Sequence, residues 1–190
     1  AQNTIVSSRA GKDLVSSVAS GLLTIGDRFG GAIGNSARAF HRAVSVLKQS
    51  PEEMVLDFKA RGKYIPGIGH RVKTCDNLDK RVEILKEYVA EHFPHSEFLQ
   101  YALRVERITL QKRNNLILNL DGIIACSMLD GLAAGLEHND RGDILEQVLD
   151  EGLLNGFFVL ARTCGFIGHW YDQKRLGQGL FRSESVNYIA

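Results

Sequence analysis

The sequence predicts an all-α fold, and three observations carry that prediction. Apolar residues recur at helical spacing along most of the chain. Leu, Ala, Glu, Lys and Arg are abundant and prolines number only three, a composition that favours helices. Helix-start signals such as "SPEE" stand where the apolar pattern resumes. At 190 residues the chain can bury a core, as one domain or two small ones.

Taken in order, residues 9–28 carry Leu14, Val15, Val18, Leu22 and Ile25 and read as one helix. "GDRFGGAIG" at 26–34 breaks it, and Ala39, Ala43, Val46 and Leu47 resume the pattern over 35–48. At 50–53, Ser50 is an N-cap, Pro51 fits the first helical position, and Glu52 and Glu53 suit the positive helix end. That helix runs to about residue 60, and a glycine-rich loop follows to about residue 77. Val82, Leu85 and Val89 share a face over 79–92, where Pro94 stops the helix. Leu99, Leu103 and Val105 mark another helix over 96–111. Residues 114–124 alternate and can be read as a short strand, but the composition after them favours a helix entered near Asp121 and running to about residue 136. Asp140 is read as the cap of a helix to about residue 150, and 152–174 as a last, apolar one, with Gly177 and Gly179 opening a tail. The apolar windows 114–136 and 152–170 contain charged or amide residues and read as buried helices rather than membrane spans.

A net charge of +1 argues against a general nucleic-acid coat, and aromatic residues are only 8%. Cys75, Cys126 and Cys164 are odd in number and far apart, without a CxxC pair, so neither a disulfide framework nor a zinc site is indicated. A reducing cytosol fits best. The first residues lack the apolar core of a secretory signal. The chain opens without Met and enters a helical pattern at once, which suggests a piece of a longer or processed chain.

Chemistry concentrates in a few places. "YIPGIGHRVKT" at 64–74 sets His70 among glycines with Arg71 and Lys73 behind it. A histidine passes protons near neutral pH, glycines allow close backbone approach, and the cations suit an anion. The alternative is a loop histidine bonded to backbone. "LNLDG" sets Asp121 among apolar residues, which would raise its pKa and suit a proton shuttle; a helix N-cap is the competing role. Arg162 sits in the most apolar segment, where a buried charge needs an ion-pair partner or a ligand. His169, Trp170, Asp172 and Lys174 read as a helix end with surface charge, and His41, His92, His95 and His138 as solvated. No histidine pair has metal-ligand spacing.

Four stretches, "GIGHRV", "LILNLDG", "VLARTCGFIGH" and "YDQKRLGQGLFR", resemble the citrate synthase superfamily. With "RAGKDLVSS" and "GLLTIGDRFGGA" they look most like its citryl-CoA lyase branch, the carboxy-terminal module of ATP-citrate lyases. The resemblance spans residue 1 to about 185, with the motifs in order. It implies a citrate synthase-like all-α fold: a partial large helical domain at 1–36 and 150–190, its upstream portion missing, and a small domain at 37–149. It implies homodimers through large-domain helices, paired into tetramers, and upstream CoA-ligase-like domains or a subunit holding ATP and Mg. Coenzyme A is the implied carrier, with no metal in this module and no nucleic-acid or membrane partner.

The implied reaction cleaves citryl-CoA to acetyl-CoA and oxaloacetate. In the whole enzyme, citrate, ATP and CoA would give acetyl-CoA, oxaloacetate, ADP and phosphate. By the resemblance His70 meets the substrate oxygen and accepts the hydroxyl proton, while Asp121, starting protonated, delivers a proton to the enolate carbon. Arg81, Arg162 and, from a neighbouring subunit, Arg182 hold carboxylates. Lys59, Arg71, Lys112 and Arg113 meet the CoA phosphates. Two departures stand out. Phe29 in "GDRFG" replaces the histidine of the "GPLHG"-like stretch of citrate synthases, and the "ADHG"-like stretch lies upstream of residue 1. A stand-alone citryl-CoA lyase or citrate synthase-like enzyme, and an inactive tetramerisation module, are the competing functions.

Overall fold

The structure, a computed structural model, describes residues 1–26, 29–136 and 141–180. The described residues form α-helices without a β-sheet, so the all-α expectation holds. The chain divides into two compact units, Ala1–Gly30 with Phe157–Ala190, and Gly31–Gly156.

In the first unit, the helix expected over 9–28 is shorter, α2 (Leu14–Leu22), and a separate helix, α1 (Gln2–Arg9), precedes it. Gly11, at φ +90°, turns the chain, and Asp13 caps α2 by accepting the Ser16 N–H at 2.9 Å. The two helices pack through a seam of small buried residues, Thr4 and Ser8 against Ser17 and Gly21. A Cβ on Gly21 would stand 2.9 Å from the Phe166 ring, so the glycine is there to let a neighbour in. Phe166 belongs to α9 (Gly156–Leu176), which is tied down by Arg9 Nε donating to Gln173 Oε1 at 2.6 Å. The expectation that 152–170 is a buried helix fails: of the described α9 residues only Phe166 and Gln173 are buried, and Phe157, Leu160 and Tyr171 are exposed. This unit supplies too few elements to cover more than one stripe of a helix 21 residues long.

The second unit holds α3 (Ala32–His41), α4 (Pro51–Ala60), α5 (Lys80–His92), α6 (Glu97–Leu110), α7 (Leu120–Gly135) and α8 (Arg141–Asp150). α3 ends in one π-helical turn, 42–46, which Lys48 leaves at φ +49°. α4 starts with the expected cap, a reciprocal box in which Glu53 N–H donates to Ser50 Oγ and Ser50 N–H to the Glu53 carboxylate. α7 is central, packing against α3, α5, α6 and α8. Its Ile123, Ala125, Cys126 and Leu129 meet a core with Ile33, Ala37 and Phe40 of α3 and Leu99, Ala102 and Val105 of α6. The segment 114–119 forms a bridge, Ile68 to Leu118, rather than a strand. The expected caps Asp140 and Asp121 fare differently. Asp140 lies outside the described residues, as does His138, whereas α7 is capped by Asn119 and Asp121 sits in its first turn.

A histidine expected to be solvated is buried. His41 stacks on Phe98 with centroids 6.3 Å apart, and burial pushes its pKa down. It lines a cavity of about 300 Å³ with Arg38, Arg42 and Glu146 that holds none of the predicted site residues.

Candidate active site

Seven of the predicted residues, His70, Asp121, Arg81, Lys59, Arg71, Lys112 and Arg113, belong to the second unit. The loop carrying His70 lies along segment 114–119. Gly69 N–H donates to the Ile117 carbonyl at 2.7 Å, His70 N–H to Asn115 at 2.9 Å, and Cys75 N–H to Asn114 at 2.9 Å. Asn115 Nδ2 returns a bond to the His70 carbonyl at 3.2 Å. The neighbours Ile117 and Leu118 are both buried, so burial does not follow the alternation read in 114–124, while the side chains of Asn115 and Asn119 bond the loop.

The glycines answer to space as well as to conformation. Gly67, at φ +87°, is packed against Gly122, and a Cβ on it would lie 2.7 Å from the Gly122 Cα. A Cβ on Gly122 would strike the Gly67 carbonyl oxygen. Loop and helix α7 thus touch backbone to backbone at Gly67, which precedes His70 in the loop, and Gly122, which follows Asp121.

The half-buried His70 ring is fixed by its own loop. Val72 and Lys73 N–H donate to Nδ1 at 3.0 and 2.8 Å. Nδ1 is therefore an acceptor, and the neutral ring carries its hydrogen on Nε2. In that tautomer the ring offers a hydrogen at Nε2 rather than a lone pair.

Arg81 opens α5 and is gripped by Asp79, Nε to Oδ1 at 3.0 Å and a terminal nitrogen to Oδ2 at 2.6 Å. The Arg81 side chain is 64% exposed and that of Asp79 6%. The guanidinium, hydrogen-bonded to Asp79, holds that carboxyl down at about 2. Asp79 in turn raises the Arg81 pKa, and the charge of Asp121 adds to this. Asp79, missed in the sequence, had a visible signal: an Asp at a helix start two residues before an arginine.

A cavity of about 360 Å³ is lined in part by the His70 loop, through Ile65 and Ile68. Val55, Phe58, Ile65, Ile68 and Leu116 are among its apolar lining, and Lys59, Lys63, Lys112 and Arg113 bring four cations to it. Three of the four residues expected at CoA phosphates thus share one cavity, whereas Arg71 is exposed and does not line it.

In the first unit, Arg162 is exposed, not buried as expected, since most of α9 is uncovered. Its guanidinium stands over Phe158 and Phe29 at 4.8 and 5.7 Å from the ring centroids. Phe29, at the place of the family histidine, therefore supports an arginine. Arg182 lies outside the described residues.

A helical fold with this loop and cavity belongs to a known class. The model of the citrate synthase C-terminal domain matches residues 2–130, and the chain belongs to that family. Within it, the chain is 53% identical to a probable ATP-citrate synthase of Dictyostelium discoideum, over 99% of this chain and 30% of that protein. An ATP citrate lyase from Methanothrix soehngenii, solved with citrate and coenzyme A, superposes with a TM-score of 0.87 at 47% identity, covering 100% of this chain and 30% of that one. A citryl-CoA lyase from Hydrogenobacter thermophilus does so with 0.74 at 27% identity, covering 99% and 68%. The resemblance drawn from the motifs is borne out, and the chain spans under a third of the ATP-citrate relatives it matches.

Proposed function

We propose that this chain is the citryl-CoA-cleaving part of an ATP-citrate lyase. The observation that carries this is the join of the His70 loop to the Asp121 helix, flanked by Arg81 and by the basic cavity. Arg81, oriented by Asp79, holds a substrate carboxylate, with Arg162 and the partner's copy of Arg182 as further carboxylate ligands. Lys59, Lys112 and Arg113 bind the phosphates of the CoA portion, whose apolar parts lie against Phe58 and Ile65; Arg71 extends the positive rim. His70 donates from Nε2 to the citryl hydroxyl oxygen and stabilises its negative charge as the hydroxyl proton passes to solvent water. The carbon–carbon bond then breaks, the oxygen becoming the ketone of oxaloacetate. Asp121 gives its proton to the enolate carbon left behind, completing acetyl-CoA.

Residues 1–36 and 150–190 belong to the large domain in this proposal and 37–149 to the small one. The uncovered apolar residues of α9, Phe157, Leu160 and Tyr171 among them, support pairing with a second copy, and two such pairs give the tetramer. Upstream CoA-ligase-like domains supply citryl-CoA using ATP and Mg. The three unpaired cysteines suit the cytosol, and no helix among the described residues is long and apolar enough to cross a membrane.

Coenzyme A tests the binding half. A ligand that binds only the folded state at 100 times its Kd stabilises by about 2.7 kcal/mol. CoA should raise the unfolding temperature of this chain, and Lys112→Glu should shrink that rise. A CoA response that Lys112→Glu leaves intact places the carrier elsewhere.

A further inference from the structure

Asn119 is bonded to both elements that carry the proposed reacting groups. Its Nδ2 donates to the carbonyl of Gly69, the residue before His70, at 2.9 Å. Its N–H donates to the Gly67 carbonyl, also at 2.9 Å. Its Oδ1 accepts the N–H of Gly122, the residue after Asp121, at 3.0 Å. The orientation of the amide follows from these partners: turned over, it would set oxygen against the Gly69 carbonyl and NH₂ against the Gly122 N–H.

We propose that Asn119 is a positioning residue for citryl-CoA cleavage, fixing His70 relative to Asp121 without touching the substrate. This rests on the assignment of His70 and Asp121 as the reacting pair. The chemistry selects the side chain. Asp, Ser and Asn cap a helix about equally well. Only the amide adds a donor aimed at the loop, since a serine hydroxyl is too short to reach Gly69 and a carboxylate opposes its carbonyl oxygen. The other ties leave the loop attached when this one is cut: Asn115 bonds His70 at both its N–H and its carbonyl, but it belongs to the segment before the helix. What is lost is the side-chain tie from the helix cap to Gly69, the residue next to His70, while the Asn119 N–H bond to Gly67 and the Gly67–Gly122 contact remain. A misplacement of about 1 Å can cost on the order of 10²-fold in rate. Carboxylate and phosphate contacts persist, so the loss falls on kcat rather than KM.

The test uses the complete enzyme with citryl-CoA supplied directly. Asn119→Ser and Asn119→Asp both keep a helix cap, so both should melt close to the unaltered enzyme. Their kcat should fall by roughly tenfold or more, with KM for citryl-CoA within about threefold. His70→Ala and Asp121→Asn are measured alongside. Folded Asn119→Ser with kcat within about twofold of the unaltered enzyme, or a loss confined to KM, overturns the positioning role. If that happens while His70→Ala and Asp121→Asn are inactive, the reacting pair stands and only Asn119 is misassigned. If His70→Ala and Asp121→Asn are themselves active, there is no pair to position and both assignments fall.

Discussion

Two buried aspartates of the second unit respond to their surroundings in opposite directions. Asp79, held by Arg81, has its pKa lowered to about 2, so its contribution to stability is present above its ordinary value of 3.8 and is lost as pH falls toward 2. Asp130 caps α6 from α7, accepting Phe98 and Leu99 N–H at 2.8 and 3.0 Å, while Ser96 makes no side-chain cap there. Burial outweighs those two bonds and pushes its pKa up to about 6. Its folded value exceeds the ordinary 3.8, so its contribution is fully present below that pH and is lost as pH rises through 6. The unfolding temperature of the unaltered chain should therefore decline relative to Asp130→Asn between pH 4 and pH 7. A difference that stays constant across that range would remove the charge argument. Neither role was legible in the sequence for Asp130, because the helix it caps begins 33 positions before it, at Glu97.

At the scale of elements, the seam between loop and helix α7 depends on two glycines with no spare volume. Gly122→Ala would press a methyl group against the Gly67 carbonyl and 2.7 Å from the Leu118 side chain. Overpacking of this kind costs about 1–3 kcal/mol. Chemical denaturation should show that loss, and citryl-CoA cleavage should fall with it. Full stability and activity would mean that the seam is looser than these contacts indicate. The elements most legible in the sequence were those with local signals: the N-cap at Ser50, Pro94 after α5, and the apolar faces of α5 and α6. Those misread were set by conformation. The turn at Gly11 lies before the apolar residues that start at Leu14, so their spacing did not mark where α2 begins, and the π-turn at 42–46 leaves the spacing of apolar residues nearly unchanged. The cap of α7 moved by two positions, from Asp121 to Asn119, because both residues are good caps and only the Gly122 bond distinguishes them.

For the whole molecule, composition and periodicity gave the fold class, and motif resemblance gave the family. The degree of burial was less legible. α9 is as apolar as a core helix yet largely exposed, since hydrophobicity does not reveal whether the cover comes from the same chain or a second copy. The same limit made Arg162 look like a buried charge, when it rests on two phenylalanines. The residues proposed for the site, His70, Asp121, Arg81 and the cavity cations Lys59, Lys112 and Arg113, could be named from the sequence, whereas Asp79 was passed over despite its place at a helix start and Asn119 carried no signal of its bond to the loop. Nor could the sequence fix the direction in which His70 hydrogen-bonds, which depends on two backbone N–H groups folding back onto Nδ1. The most direct measurement is single-turnover release of acetyl-CoA from supplied citryl-CoA by the complete enzyme carrying His70→Ala. Loss of an oxyanion donor typically costs about 10²–10³-fold, and a fall of that order is predicted. Cleavage near the unaltered rate would contradict the assignment of this loop to the chemistry.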